Sequence, residues 1–570
     1  MNRRTLARLL GGWAIFLVLL LLGMRTYVAH GTPKEPWSVR TYWRLGKRVE
    51  RVIAHEKATT VAHPDHLPFA DFAEEIVTGE SPLFATSLLL DVGLVPGLDG
   101  VRAELDGKTV FATVDDLMSA QAYDRGHLWV EASFGWGVYR EIVFAVLAEQ
   151  LGVSARDVET RAKLTRVRMQ RGQVEKKPIA GGPVAPKPDH IEEKDLTHDL
   201  VLDSLREAAM HLARAVDMGG RFRYLINAPD NRDIPGYNWP RHSGATFFLA
   251  QAAGILDDSY LRYSALRAAG RLRTEMMRPC GTHRCITEDQ PVADLGSSAL
   301  ALIAFTEIAR TGADASFKPT IKELAEFLRS QQRPDGEFMH FYNRMDSQPI
   351  DRQSLYYSGE ATLGLARAHE VNGDPKDLEA AKAALSRISG AGWSFFGSRY
   401  YFSEEHWTCQ AVAELWSRAP DRDALAFCSR WHEFQRRLQY SPSDSPFDAD
   451  GAFGFGPLVS PRVTPASSRG EAAGALLMVL LHEPEKHPDE IPLVQTELNR
   501  ALAFVLRNQF HPGPTYLFAE PVTIRGALPG SPVDWQLRID YAQHAGCMMA
   551  RWLEIEAQKK GAAPSVHSAR

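Results

Sequence analysis

The sequence carries no surplus of positive charge: 65 Lys and Arg stand against 70 Asp and Glu, for a formal net charge of −5. That removes the electrostatic basis for nucleic-acid binding. Cysteine is scarce, with five in 570 residues, and none lies near the N-terminus, which excludes a lipoprotein anchor. Long apolar runs are absent beyond the extreme N-terminus, and 45% hydrophobic with 24% charged residues is the composition of a soluble chain. The length exceeds one ordinary domain and suffices for a large core.

What is present begins at the start of the chain. Arg3, Arg4 and Arg8 precede an uncharged run from Leu9 to Met24, which Arg25 closes. Positive charge before an apolar run directs the remainder outward. The run is long for a signal-peptide core and short for a full span of about 20 residues. Residues 1–30 are therefore expected to be a signal-anchor, with a cleaved signal ending near Ala29-His30-Gly31 as the alternative. The bulk of the chain is then expected to be periplasmic, on a single-pass membrane protein. Residues 31–64, with Trp37-Ser-Val-Arg-Thr-Tyr-Trp-Arg44, read as a basic juxtamembrane helix. In an oxidising compartment Cys280 and Cys285 are close enough to form a disulfide. His283 between them also allows a metal reading, but with poor zinc spacing. Cys409, Cys428 and Cys547 fall in helical stretches and are expected as small core residues.

Residues 65–172 read as a small α+β domain. Val101–Leu105 and Thr109–Val114 flank Asp106-Gly107, a hairpin turn signal. Glu141–Leu151 reads as a helix, and Thr160–Arg171 as a strand with five basic residues. This domain is the expected contact for any envelope protein partner. Residues 173–195, rich in Lys, Pro and Gly, read as a linker, and residues 557–570 as a disordered tail. Between them, residues 196–556 read as helices and long loops. Twelve helices are expected, over 197–217, 242–254, 259–276, 291–311, 317–331, 355–371, 376–390, 405–418, 421–438, 467–482, 489–508 and 536–556. Connections after the even helices are short; those after the odd ones are long and aromatic, which puts the long loops on one face. A repeat marks the even helices: Arg241-His-Ser-Gly-Ala245, Ala293-Asp-Leu-Gly-Ser297, Tyr356-Tyr-Ser-Gly-Glu360, His406-Trp-Thr-Cys-Gln410, Ser467-Ser-Arg-Gly-Glu471 and Gln543-His-Ala-Gly-Cys547. Gly inside a helix costs about 1 kcal/mol against Ala, so its recurrence implies close packing of an inner ring.

These features resemble the (α/α)6 toroid of six helical hairpins, shared by many glycoside hydrolases, uronate lyases and epimerases. Gln331-Gln-Arg-Pro-Asp-Gly336-Glu-Phe338 is similar to the Asp-Gly turns that recur in such toroids. The resemblance covers roughly residues 196–556 and implies a fold, with function left to the site. Terpene cyclases and lanthionine cyclases share a related toroid. The chain lacks the Asp-rich motif of the first, Asp448-Ala-Asp450 being the nearest, and the Cys-His-Gly motifs with which the second hold zinc.

Positions two before and one after the repeat Gly share a helix face. They place His242, Asp294 with Ser297, Tyr357 with Glu360, Trp407 with Gln410, Ser468 with Glu471, and His544 with Cys547 toward the ring's cavity. Arg241, His406 and Arg469 lie beside them, and Glu405 and Trp239 border them. Aromatic faces with convergent polar groups suit sugars. Glu360 and Glu471 share a Gly-Glu-Ala context, and paired carboxylates serve as acid and base in glycoside hydrolysis. Capping or neutralising a neighbouring Arg is their plainer role. The alternative chemistry is a lyase or epimerase in which His242, His406 or His544 acts with Tyr357, and Arg241 neutralises a uronate carboxylate. His242, His406 and His544 could also gather at one rim around a metal, though no metal or cofactor is expected. The leading expectation is a membrane-anchored hydrolase of an envelope polysaccharide, its rival a non-catalytic glycan- or peptide-binding scaffold.

Overall fold

The computed structural model describes residues 11–19, 37–54, 70–85, 90, 93–123, 138–175, 191–390, 393, 405–441, 449–454, 461–510 and 515–561. Residues 11–19 are helical, and the rest of the expected anchor lies outside the described residues. No helix among the described residues is long and apolar enough to cross a membrane. Most of the expected linker and tail, and residues 394–404 and 455–460 of the long aromatic loops, also lie outside them.

The segment expected as a juxtamembrane helix is a β-hairpin. Strands β1 (Trp37–Arg44) and β2 (Lys47–Ala54) pair antiparallel around Leu45-Gly46, both at positive φ. Trp37, Val39, Thr41, Tyr42 and Trp43 favour a pleated surface, and Gly46 takes the left-handed turn without a Cβ penalty. The hairpin joins β3 (Asp71–Leu83), β4 (Asp99–Leu105), β5 (Lys108–Ala112) and β6 (Lys163–Glu175) in one antiparallel sheet of order β2-β1-β3-β6-β4-β5. Helices α1 (Val114–Ser119), α2 (Arg140–Leu151) and α3 (Ala155–Arg161) complete this unit. The small domain therefore starts at Trp37, not at residue 65, because β1 and β2 are part of its sheet.

The helical region is the toroid. Its inner helices are α5 (Trp239–Leu256), α7 (Leu295–Arg310), α9 (Tyr357–Asn372), α11 (Glu405–Leu415), α13 (Val463–Leu480) and α15 (Ile539–Lys559). Each packs on the next, and α15 packs back on α5, so the ring closes. The outer helices are α4 (His198–Ala215), α6 (Ser259–Arg271), α8 (Lys318–Ser330), α10 (Pro375–Ser389), α12 (Arg422–Arg436) and α14 (Glu490–Asn508). Short inner-to-outer turns have simple causes. Asp257 takes a left-handed C-cap and Asp258 then caps α6; Gly373 and Asp374 repeat the device before α10.

The repeat glycines lie where inner helices touch. A Cβ on Gly244 would meet Gln543, on Gly296 Tyr357, on Gly359 Thr408 and Trp407, on Gly470 Met548, and on Gly546 Phe248. The one departure, Cys409, forms a disulfide with Cys428 that ties α11 to α12. Cys409, Cys428 and Cys547 are buried as expected, but the first two are bonded, which was not expected, and Cys547 alone is a free cysteine. Cys280 and Cys285 are bonded across a small hairpin. The long loops also contain short strands: Leu225–Asn227, where loop was expected, pairs with Gln536–Arg538, where the last helix was expected to begin. The C-terminal halves of α7, α9 and α11 are joined by buried ion pairs, Glu307–Arg367 at 3.0 Å and Arg310–Glu414 at 3.2 Å.

The two units share a core. Phe510, Tyr516, Leu517, Phe518 and Trp535, from the loop before α15, pack into the small domain's hydrophobic cluster. Tyr516 donates its hydroxyl to Asp115 at 2.8 Å, and Gly46 N–H donates to the Tyr516 carbonyl at 2.9 Å.

Candidate functional site

The site lies in the N-terminal halves of α11, α13 and α15, three consecutive members of the inner ring. Glu471 is 1% exposed. Its Oε1 lies 2.8 Å from His544 Nδ1 and 3.1 Å from His406 Nε2, and its Oε2 lies 3.4 Å from Gln410 Nε2. Burial alone would raise this carboxyl's pKa, but the His406 and His544 rings outweigh it and hold the pKa below the usual value. An ionised carboxylate only accepts, so the proton sits on Nδ1 of His544 and on Nε2 of His406. In their neutral forms His544 Nε2 and His406 Nδ1 are then the basic nitrogens. The His406 and His544 ring centroids are 5.0 Å apart. The His544 side chain is 14% exposed, so it is the member that meets the accessible side.

Trp407 packs on His406 at 4.3 Å and is buried, so it braces the imidazole and does not present a face to a sugar. His406, Glu471 and His544 each offer one ligand atom, all within 4.8 Å of one another, and could together hold a divalent cation. They are the only such group found among the described residues.

The remaining candidates fall into separate places. Glu360 and Tyr357 share a face of α9, on the far side of α11 from Glu471. Burial and the nearby Asp294 and Glu360 carboxylates push the Tyr357 phenol well above its ordinary pKa. Asp294 caps α7, accepting from Ser297 N–H at 2.7 Å and Ser297 Oγ at 2.8 Å. Glu360 and Glu471 thus belong to different clusters, and Glu471 is engaged by imidazoles, not by a carboxyl partner. His242 is fully buried. It accepts from the Tyr237 hydroxyl at 2.7 Å and donates to the Ala268 carbonyl at 3.0 Å, while burial lowers its pKa to about 4. It is a neutral tie between α5 and α6, away from the catalytic role expected of it. The expected rim of three histidines accordingly contains two, with Glu471 as the third donor.

Arg469 is buried with its guanidinium 5.0 Å from the Phe453 ring centroid. Trp239 is half-buried, donates to Glu288 at 2.5 Å and packs 4.9 Å from Tyr237. Glu405 opens α11, and its side chain lies outside what the structure describes.

Two groups escape sequence reasoning. Asp540 is buried one turn before His544 and accepts from Arg538 Nε at 2.5 Å and Nη2 at 2.8 Å. Arg241 Nε approaches the same carboxylate at 3.3 Å, and its Nη1 donates to Tyr224 Oη at 3.0 Å. The spacing Arg538-x-Asp540-x-x-x-His544 was the available signal. Glu337, in the Asp-Gly turn, accepts from Ser358 Oγ at 2.6 Å and Trp393 Nε1 at 2.7 Å. Burial opposes its charge, but hydrogen bonds from His340, Ser358 and Phe338 N–H win and lower its pKa to about 2.

No protein-family model matches the chain, and no curated protein matches it in sequence. Solved structures resemble it in fold. One is a D-mannose isomerase, at 11% identity and a TM-score of 0.47 over 62% of this chain and 97% of that one. A cellobiose 2-epimerase from Bacillus thermoamylovorans is similar at 10% identity and a TM-score of 0.48, over 63% of this chain and 98% of its own. An unsaturated glucuronyl hydrolase specific for heparin is similar at 13% identity and a TM-score of 0.43, over 64% and 99% respectively.

Proposed function

We propose that this protein is a glycan-active enzyme that moves a proton at a sugar carbon, by epimerisation or elimination, on an envelope polysaccharide. In this reading the N-terminal run holds it at a membrane with its bulk outside the cytoplasm. The observation that carries the chemistry is the pair of imidazoles bonded to one buried carboxylate. Glu471 fixes the tautomer of His544 and stabilises the imidazolium that forms when Nε2 takes a proton, the role a carboxylate plays behind a histidine base. His406, when protonated, is the matching acid. A carbon-bound proton is removable only beside a carbonyl or carboxyl group, which sets the substrate class.

Hydrolysis by Glu360 and Glu471 fits less well, because the two lie in different clusters and both Glu471 oxygens are taken by His406, His544 and Gln410. The three donors of this cluster also favour a second reading, a bound divalent cation that polarises the sugar oxygen. The test is incubation of the full chain in detergent with envelope glycans, with and without a chelator. Epimeric or unsaturated products that persist in chelator support the reading. New reducing ends alone would replace it with hydrolysis, loss of activity in chelator with the metal site, and binding without conversion with the scaffold.

A further inference from the structure

We infer that the site selects a sugar carrying a carboxylate, and that Arg241 and Arg538 receive that group; this rests on the proton-transfer reading above. Asp540 and His544 are four residues apart on α15, so they share a face, with Asp540 about 6 Å nearer the helix start. Their proximity also shows in the field: Arg538, Arg241 and His544 all help to hold the Asp540 pKa down against its burial. Arg241 comes from the first turn of α5, the helix that closes the ring against α15.

Two guanidiniums thus converge on one carboxylate, a local surplus of one positive charge directly above the candidate base. Of the other carboxylates nearby, Glu471 is bonded to His544 one turn deeper, and Asp534 lies 4.0 Å from a different arginine, Arg462. Arg241 spends Nε and Nη1 on Asp540 and Tyr224, and Arg538 spends Nε and Nη2 on Asp540. No hydrogen bond among the described residues uses Arg241 Nη2 or Arg538 Nη1, the Arg538 guanidinium lying over the Tyr541 ring at 4.6 Å. The Arg241 side chain is 38% exposed and that of Arg538 24%, against 6% for Asp540, so the positive groups face outward and their counter-ion does not. An anion placed there meets two N–H donors whose orientation Asp540 and Tyr224 already fix. A hexose with its carboxylate on this pair would bring its ring carbons toward His544, one helical turn deeper. The same contact neutralises the carboxylate beside which the proton leaves, which a uronate requires and a neutral sugar does not.

The experiment is calorimetric titration of the full chain in detergent with two probes. One is a glucuronate-containing tetrasaccharide; the other is the same tetrasaccharide with its carboxyls reduced to alcohols. The acidic probe is expected to bind at least about tenfold more tightly, with the advantage shrinking as salt rises. Arg241→Gln should remove most of that advantage, and Arg241→Lys should retain part of it, with thermal melting confirming that both fold. Equal affinity for the two probes, binding of neither, or an advantage unchanged in Arg241→Gln would overturn the inference. Hydrogen exchange from solvent into the reduced probe at the full rate would also sink it while leaving the proton-transfer reading intact. Selective binding of the acidic probe with no exchange at carbon would support carboxylate recognition and sink proton transfer.

Discussion

Glu471 is the residue on which the chemistry turns, because one of its oxygens accepts from both histidines. Glu471→Gln preserves shape but offers an amide where an ionised acceptor is needed, so it frees both rings to change tautomer. Turnover should fall by about 10²–10⁴-fold, with a melting temperature near that of the parent. His242 makes the contrast. Its two ring nitrogens bond Tyr237 and Ala268, so His242→Ala should leave two buried partners unpaired and cost about 1–3 kcal/mol of stability, read from denaturant unfolding. Residual folded enzyme should keep its specific activity. Both residues stand next to a repeat position in the sequence, and nothing local distinguishes them. Which side of an inner helix faces the outer layer depends on how the ring packs, and that separates a tie from a base.

Among elements, the inner helices were legible because small and polar residues recur at one place in each. That recurrence marks close approach, and the structure puts a neighbouring side chain against each repeat glycine. Gly546→Ala should destabilise the fold by about 1–3 kcal/mol, since its new methyl meets the stiff Phe248 ring. Gly470→Ala meets the flexible end of Met548 and should cost less, a ranking that thermal melting of the two variants would check. The Cys409–Cys428 bond was not legible, because both residues lie on helices and only the antiparallel packing of α11 on α12 brings them together. It closes a loop of sequence separation 19, so Cys428→Ser should cost about 3 kcal/mol. The β1–β2 hairpin was missed for a different reason. Its basic residues beside an apolar run suggested a membrane-facing helix, yet its β-branched and aromatic residues pair across a sheet whose other strands lie far along the chain.

At the scale of the whole molecule, the small domain and the toroid meet at the loop that leads into α15, where His544 lies. Glu75 is buried in this region; burial and the adjacent Asp115 push its pKa up to about 8, and Asp115 itself accepts from Tyr516 of the toroid loop. A carboxyl with a raised folded-state pKa binds its proton more tightly when folded. Its contribution is complete below the unfolded value near 4.5 and is lost as pH rises to about 8. His211 and His242, both lowered to about 4 by burial, act oppositely, with stability falling as pH drops from 6.5 toward 4. Melting temperature should therefore peak near pH 6, and Glu75→Gln should remove the decline on the alkaline side and steepen the fall on the acid side. The central claim is that this toroid moves a proton at a carbon atom, and it is tested most directly by NMR of glycan recovered from the full chain in D2O. The account predicts, at a ring carbon beside the carboxyl group, either deuterium in an epimeric product or loss of the hydrogen to a new double bond in an unsaturated one, both absent with Glu471→Gln and with His544→Asn. Glycan that is cleaved to new reducing ends with every carbon-bound hydrogen retained would contradict it.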